Sequence, residues 1–333
     1  MKKNLKKTYS LRYGQGFSLV ELMVSLTIGL VISIAAMSAY LGSANASRVS
    51  AAQARMDEDG QTALKFLSQQ IRLAGANPVQ NGRALDYRRN PVFSTTYVGG
   101  TSTAYTTTLP TFTPAYTLSA FSIRGCDGTF TNLASATNLD GLTCAGTAST
   151  SPDSIAVSYE ADAYNTIKTS TGAATDCLGS ALTTVTTSVA LVATFAVADN
   201  RFYIDSSTAG VPSLYCKGIA TTTAQPIVEN VEDMQFKYGS VSATATLTTD
   251  TIAGYLGAVD IEPTGTSTAT AATNWGRILA VRICVVVRSE NPVVADTNSG
   301  QYYKCDGSLD TAKTDLRLRR AYSTTVVLRN RKT

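Results

Sequence analysis

Hydrophobic and polar positions divide this chain into three stretches. Residues 17–41 are almost wholly apolar, with Glu21 the one charge among them. As a helix at ~1.5 Å per residue the run would reach roughly 37 Å, enough for a hydrocarbon core of ~30 Å. From there Val49, Ala52, Met56, Ala63, Leu67, Ile71 and Ala74 recur at helical spacing, with Arg48, Gln53, Arg55, Asp57, Glu58, Lys65 and Gln69 between them. That pattern predicts an amphipathic helix with one stripe suited to packing on a sheet. Gly60 weakens it locally, Gly75 is placed to cap its C-terminus, and Pro78 follows. One helix over about residues 17–74 is therefore predicted. The Asp57-Glu58-Asp59 cluster on it reads as a solvated helix face.

Beyond Pro78 the texture becomes Thr-, Ser- and Gly-rich with short apolar runs. Strands are predicted over 118–124, 154–160, 191–196, 201–205, 214–217, 234–238, 278–288 and 324–329. The strongest lies in "RILAVRICVVVRS", where Leu279, Val281, Ile283, Val285 and Val287 alternate and Arg282 and Arg288 fall on the opposite face. "VADNRFYID" reads as two strands joined by a tight Asp199-Asn200 turn. Residues 94–114 read as loop or edge strand, and 128–152 and 240–274 give only weak signals.

Composition narrows the chemistry. The chain has no histidine, which removes the commonest general base and neutral metal ligand. No GxSxG, Walker A or GxGxxG motif is present, so no catalytic residue, cofactor site or metal site is assigned and a non-enzymatic role is expected. The adjacent carboxylates Glu160 and Asp162, and Glu232 and Asp233, read as solvated charge rather than an acid/base pair. No DxDxDG-like loop supports a calcium site. The formal charge of +4 comes from the leader, where Lys2, Lys3, Lys6, Lys7 and Arg12 stand without an acid. The remainder is nearly neutral, which disfavours nucleic acid as a partner. The C-terminal run Arg317, Arg319, Arg320, Arg329, Arg331 and Lys332 lacks interleaved aromatic stacking residues and reads as a solvated or partner-facing edge. The leader's basic residues place the N-terminus in the cytoplasm and the bulk of the chain across the membrane.

The six cysteines, Cys126, Cys144, Cys177, Cys216, Cys284 and Cys305, all follow the apolar run and form no CxxC. That arrangement fits disulfides in an oxidising compartment, with about fifteen connectivities open to six cysteines.

The stretch Gly16-Phe17-Ser18-Leu19-Val20-Glu21 resembles the prepilin cleavage and N-methylation motif of type IV pilins and type II secretion pseudopilins. The resemblance implies that a prepilin peptidase cuts after Gly16 and methylates Phe17. It also supplies a use for Glu21, whose carboxylate would pair with the Phe17 amine of a neighbouring subunit and set axial register; the alternative is a carboxylate that reaches out to lipid headgroups. Ser25, Gly29 and Ser33, then Ala35, Ala39 and Ser43, form rows of small residues that permit close helix approach in lipid.

A second resemblance rests on "QQIRLAG" (69–75), "DCLG" (176–179), "ENVEDMQFKYG" (229–239), "RILAVRICVVVRS" (277–289) and "RRAYSTTVVLRNR" (319–331). These segments look like the PilW group of type IV pilus minor pilins, which is similar in outline to the J-type pseudopilin. The resemblance implies an α+β, type IV pilin-like fold, with one long N-terminal helix packed on a head of two antiparallel sheets. It implies a leader at 1–16, a membrane and assembly half of the helix at 17–44, an amphipathic half at 45–76, and a disulfide-stapled periplasmic head at 77–333. The "DCLG" likeness, with Leu214-Tyr215-Cys216, implies sequential pairing: Cys126–Cys144, Cys177–Cys216 and Cys284–Cys305. The implied function is a minor pilin that co-assembles with other minor pilins and the major pilin to prime type IV pilus assembly, with a tip location, a tip adhesin, adhesion and twitching motility as its wider setting. The implied partners include the prepilin peptidase and the inner-membrane assembly machinery. The implied location is the inner membrane, single pass, and then the pilus on the cell surface. Two alternatives stand beside it: a J-type pseudopilin of a type II secretion system, and a membrane-anchored periplasmic binding protein.

Overall fold

The computed structural model describes residues 16, 18–76, 95–98, 101–104, 112–113, 119–145, 151–187, 194–206, 210–221, 223–241 and 251–331. The chain divides into two compact units, Met1–Ala51 and Ala52–Thr333. Helix α1 (Leu19–Leu73) begins in the first and ends in the second.

In the first unit the helix is apolar on every side. Leu19, Val20, Leu22, Met23, Val24, Leu26, Ile28, Leu30, Val31, Ile32, Ile34, Met37, Tyr40 and Leu41 are all exposed. Ser25, Ser33, Thr27 and Ser38 donate their hydroxyls to carbonyls three or four residues back, so these polar groups are satisfied within the helix.

In the second unit the same helix becomes one-sided. Met56, Gly60, Ala63, Leu67, Ser68, Gln70 and Ile71 are buried, while Gln61, Thr62, Lys65, Gln69 and Arg72 stay exposed. The helix stops at Gly75, whose φ of 73° is open to glycine at little cost. The Gly75 N–H donates to Ser158 O at 2.9 Å, tying the helix end to a strand.

The head follows in chain order. Strands β1 (Thr95–Val98) and β2 (Thr101–Ala104) make an antiparallel ribbon. Then come β3 (Phe112–Thr113), β4 (Ile123–Cys126), β5 (Ser154–Ala161), β6 (Thr184–Thr187), β7 (Thr194–Asp205), β8 (Ser213–Gly218) and β9 (Gln225–Glu229). These form a seven-stranded antiparallel sheet in the order β3-β6-β7-β5-β4, with β8 joining β7 to β9. The chain continues through β10 (Val231–Val241), β11 (Ile252–Leu256), α2 (Ala258–Ile261), α3 (Thr268–Gly276) and β12 (Ile278–Arg288). It then makes a small hairpin, β13 (Tyr302–Tyr303) and β14 (Leu309–Asp310), before β15 (Arg319–Val327). A second antiparallel sheet has the order β11-β10-β12-β15. Its register sets Ile283 between Phe236 and Thr324. The core fills with Leu67 and Ile71 from the helix, Val157 and Phe202 from the larger sheet, and Phe236, Ile283 and Val285 from the smaller one. Disulfides join Cys126 to Cys144, Cys177 to Cys216 and Cys284 to Cys305. Each closes a loop that contributes on the order of 3–4 kcal/mol by the chain-entropy argument.

Several boundaries differ from the sequence expectation. "VADNRFYID" is not a hairpin: Asp199 and Asn200 lie inside the single strand β7, both buried. Arg201 donates to both Asp199 oxygens at 2.9 Å and caps the Leu133 and Ala136 carbonyls. On the opposite face the Asn200 amide donates to Gln70 Oε1 at 2.9 Å and to Tyr159 Oη at 3.2 Å, and its oxygen accepts from Cys177 N. Asn200 is met by distant partners, and Asp199 by Arg201, which distant carbonyls hold in place, so these two turn-forming residues sit inside a strand. The first head strand predicted from Leu118 starts at Ile123 instead, and Leu118 lies outside the described residues. The last strand starts at Arg319 rather than Thr324. The weakly patterned stretch 240–274 holds β11, α2 and α3, of which α3 buries Trp275.

The acidic cluster on the helix is also not simply solvated. Asp57 Oδ1 accepts from Tyr322 Oη at 2.6 Å and Arg320 Nη1 at 3.0 Å, which seats β15 on the helix and holds the Asp57 carboxyl below the usual carboxylate range, the tyrosine hydroxyl being the main cause. Gly60 lies under the Tyr322 ring, where an added Cβ would sit 2.5 Å from a ring carbon.

Two consequences are measurable by denaturant unfolding of the full chain in detergent. Gly60→Ala would gain up to ~1 kcal/mol of helix propensity, but overpacking against an anchored ring costs ~1–3 kcal/mol, so a net loss is expected. That loss should vanish in a Tyr322→Ala background; equal losses in both backgrounds would contradict the packing assignment. Arg201→Met should cost ~3–5 kcal/mol, because it strands the Asp199 carboxylate, whereas the joint change Asp199→Leu with Arg201→Met should cost far less.

Candidate functional site

The N-terminal segment is built from the helix start outward. Ser18 is the last residue before α1, and its Oγ accepts the Glu21 N–H at 3.2 Å. Its carbonyl accepts from Leu22 N at 3.1 Å, the first bond of the helical ladder. Ser18 therefore acts as an N-cap, satisfying one of the donors a helix start leaves open. The Ser18-x-x-Glu21 spacing is the sequence signal for such a start. Gly16 is exposed and outside the helix, and Phe17 lies outside the described residues. Glu21 sits in the first turn, exposed, where a carboxylate favours the positive end of the helix dipole. From Leu19 onward the helix is long and apolar enough to cross a membrane.

The acidic and basic groups of the head are organised for structure. Glu160 is fully buried, while Asp162 closes a turn by accepting from Tyr164 N and Asn165 N at 2.7 and 2.8 Å. Reading this pair as solvated charge is therefore corrected. Glu232 and Asp233 also part company. Burial works to raise the Glu232 carboxyl, but hydrogen bonds from Arg319 and Lys313 outweigh it and hold the group low. Asp233 accepts from Met234 N and Gln235 Nε2, and burial raises it.

The basic C-terminal run is equally committed. Arg319 is buried and grips both Asp315 oxygens at 2.7 Å beside Glu232. Arg317 donates to the carbonyls of Ser289 and Glu290, and Arg320 pairs with Asp57. These three arginines hold β15 in place and do not form an open basic edge; the reason is the supply of acids and carbonyls from distant parts of the chain. Arg329 is exposed, and the Arg331 side chain and Lys332 lie outside the described residues. Among the described residues no group of three His, Cys, Asp or Glu is arranged to hold a metal ion.

Sequence reasoning missed Gly60, Tyr322, Asn200 and Asp153 as structural determinants. Gly60 carried a signal, since glycine within a helical stripe marks a close approach as well as a weak point. The other three depend on partners far away in sequence.

Comparison with known proteins places these features. Residues 201–330 match the sequence model of the family described as Type IV Pilus-assembly protein W. Residues 11–37 match the Prokaryotic N-terminal methylation motif. No curated protein matches the chain. Among solved structures, a type IV-like pilin from Thermus thermophilus is similar at 12% identity, covering 56% of this chain and 82% of that one, with a TM-score of 0.26. The likeness rests on two sequence matches: from within β7 to the C-terminal region the chain is similar to the type IV pilus-assembly W family, and over the leader and helix start it is similar to the N-terminal methylation motif.

Proposed function

We propose that this chain is a minor pilin, made as a prepilin, cut after Gly16, methylated at Phe17, and co-assembled with other minor pilins and the major pilin to prime growth of a type IV pilus. One observation carries the reading: a helix apolar on all sides, with one carboxylate in its first turn, belongs to a chain whose C-terminal region matches a pilus-assembly family. A charge in a membrane helix costs roughly 2.5–3.5 kcal/mol at the centre and less near the interface. Pairing of Glu21 with the methylated Phe17 amine of a neighbour recovers part of that cost and fixes axial register. The prepilin would be a single-pass inner-membrane protein with its leader, residues 1–16, in the cytoplasm and its head, residues 77–333, in the periplasm. The prepilin peptidase and the inner-membrane assembly machinery are its proposed partners there. After assembly it would lie on the pilus, at the tip, presenting an adhesin and supporting adhesion and twitching motility. The role is non-enzymatic. A J-type pseudopilin would share the N-terminal motif; the match over residues 201–330 favours the pilus.

Two variants test the parts separately. Gly16→Val should leave a longer, unprocessed protein on immunoblots of whole cells, and normal processing would refute the cleavage assignment. Glu21→Ala should be cut as the wild type is but recover less partner pilin on co-purification from detergent extracts. Unchanged recovery would argue against the pairing.

A further inference from the structure

We propose that the Asp153 carboxyl is a proton-operated latch between the two sheets of the head. Asp153 immediately precedes β5 and is buried. Its Oδ2 accepts from Phe236 N in β10 of the smaller sheet at 2.8 Å. Its Oδ1 accepts from Gly128 N, in the turn after β4 of the larger sheet, at 3.2 Å. Its own N–H donates to Met234 O at 2.7 Å. The neighbouring Ser154 hydroxyl donates to Gly128 O at 2.8 Å, so the turn is held from two consecutive residues. One side chain thus bridges the sheets through backbone groups alone.

The charges facing this carboxyl are acidic. Asp127, in the same turn, holds the Ala258 and Val259 N–H groups at the start of α2. Asp233 lies in β10 and accepts from Met234 N and Gln235 Nε2. Both act to raise Asp153. Tyr238, also in β10, is the third titratable group. Its hydroxyl is buried without a hydrogen-bond partner, and the charges of Asp153 and Asp127 add to burial in keeping it protonated.

Burial first, then these acids, outweigh the two backbone donors and raise the Asp153 carboxyl to about 7. The sign of the linkage follows. The folded state holds this proton up to near neutral pH, whereas the unfolded chain releases it near ~3.9. Any opening that exposes Asp153 therefore becomes easier as pH rises between those limits, by at most about tenfold per pH unit for one proton. Above neutral pH the carboxylate still accepts both N–H groups, but it is ionised, buried and facing two acids, so the folded head gains least from it over the unfolded chain. The head would accordingly be tightest on the acidic side of neutrality.

The test uses the full chain in detergent micelles. The carbon-13 shift of the Asp153 carboxyl should titrate with a midpoint near neutral pH; a carboxylate ionised throughout pH 5–8 would overturn the proposal. Protection of the Phe236 and Gly128 amides against hydrogen exchange, corrected for intrinsic rates, should fall with rising pH between 5 and 7 in the wild type. Asp153→Asn should flatten that dependence, and parallel profiles in the two proteins would also overturn it. If Asp153→Asn fails to fold, the wild-type titration decides alone.

Discussion

The backbone of α1 satisfies its own hydrogen bonds, and the rest of the structure is organised around what its side chains then require. Over residues 19–41 they are apolar on every side and need a non-aqueous surrounding. Over residues 52–73 only one stripe is apolar, and it needs a cover of matching shape. The two antiparallel sheets supply that cover, and the core is the volume where Leu67 and Ile71 meet Val157, Phe202, Phe236 and Ile283. Disulfides then restrain the loop-rich parts that bury little apolar surface.

Within the head, long-range polar contacts refine what the apolar contacts begin. Asp57 with Tyr322 and Arg320 joins helix to β15. Gln70 with Asn200 and Tyr159 joins helix to the larger sheet, and Asp153 joins the sheets to each other. Buried polar groups are costly unless partnered, so each contact favours one arrangement of the elements over shifted ones. A strand register displaced by one residue would separate Asn200 from Gln70 and turn Arg201 toward the other face.

Much of this was legible in the amino-acid pattern. The apolar run, the amphipathic stripe and the alternation at Leu279, Val281, Ile283, Val285 and Val287 are local signals, and the helix and β12 follow them closely. The failures have a common physical cause. Asp199 and Asn200 have turn chemistry locally, and only Arg201, Gln70 and Tyr159 make them strand residues. Arg319 looks like surface charge until Asp315 and Glu232 are brought to it. Helices α2 and α3 hide in Thr-, Ala- and Gly-rich sequence because their apolar contacts are few and include the single tryptophan, Trp275. At the N-terminus the Ser18 and Glu21 spacing was readable, and the structure adds the capping bond between them.

A membrane-competent helix with one placed carboxylate, joined to a disulfide-linked head, is suited to packing work. The central claim is that this packing supports pilus growth. The most direct measurement is the amount of pilin sheared from the surface of a strain lacking this chain, against the same strain complemented. The account predicts that surface pilin is lost and returns with the gene. Unchanged surface pilin in the deletion strain would contradict it.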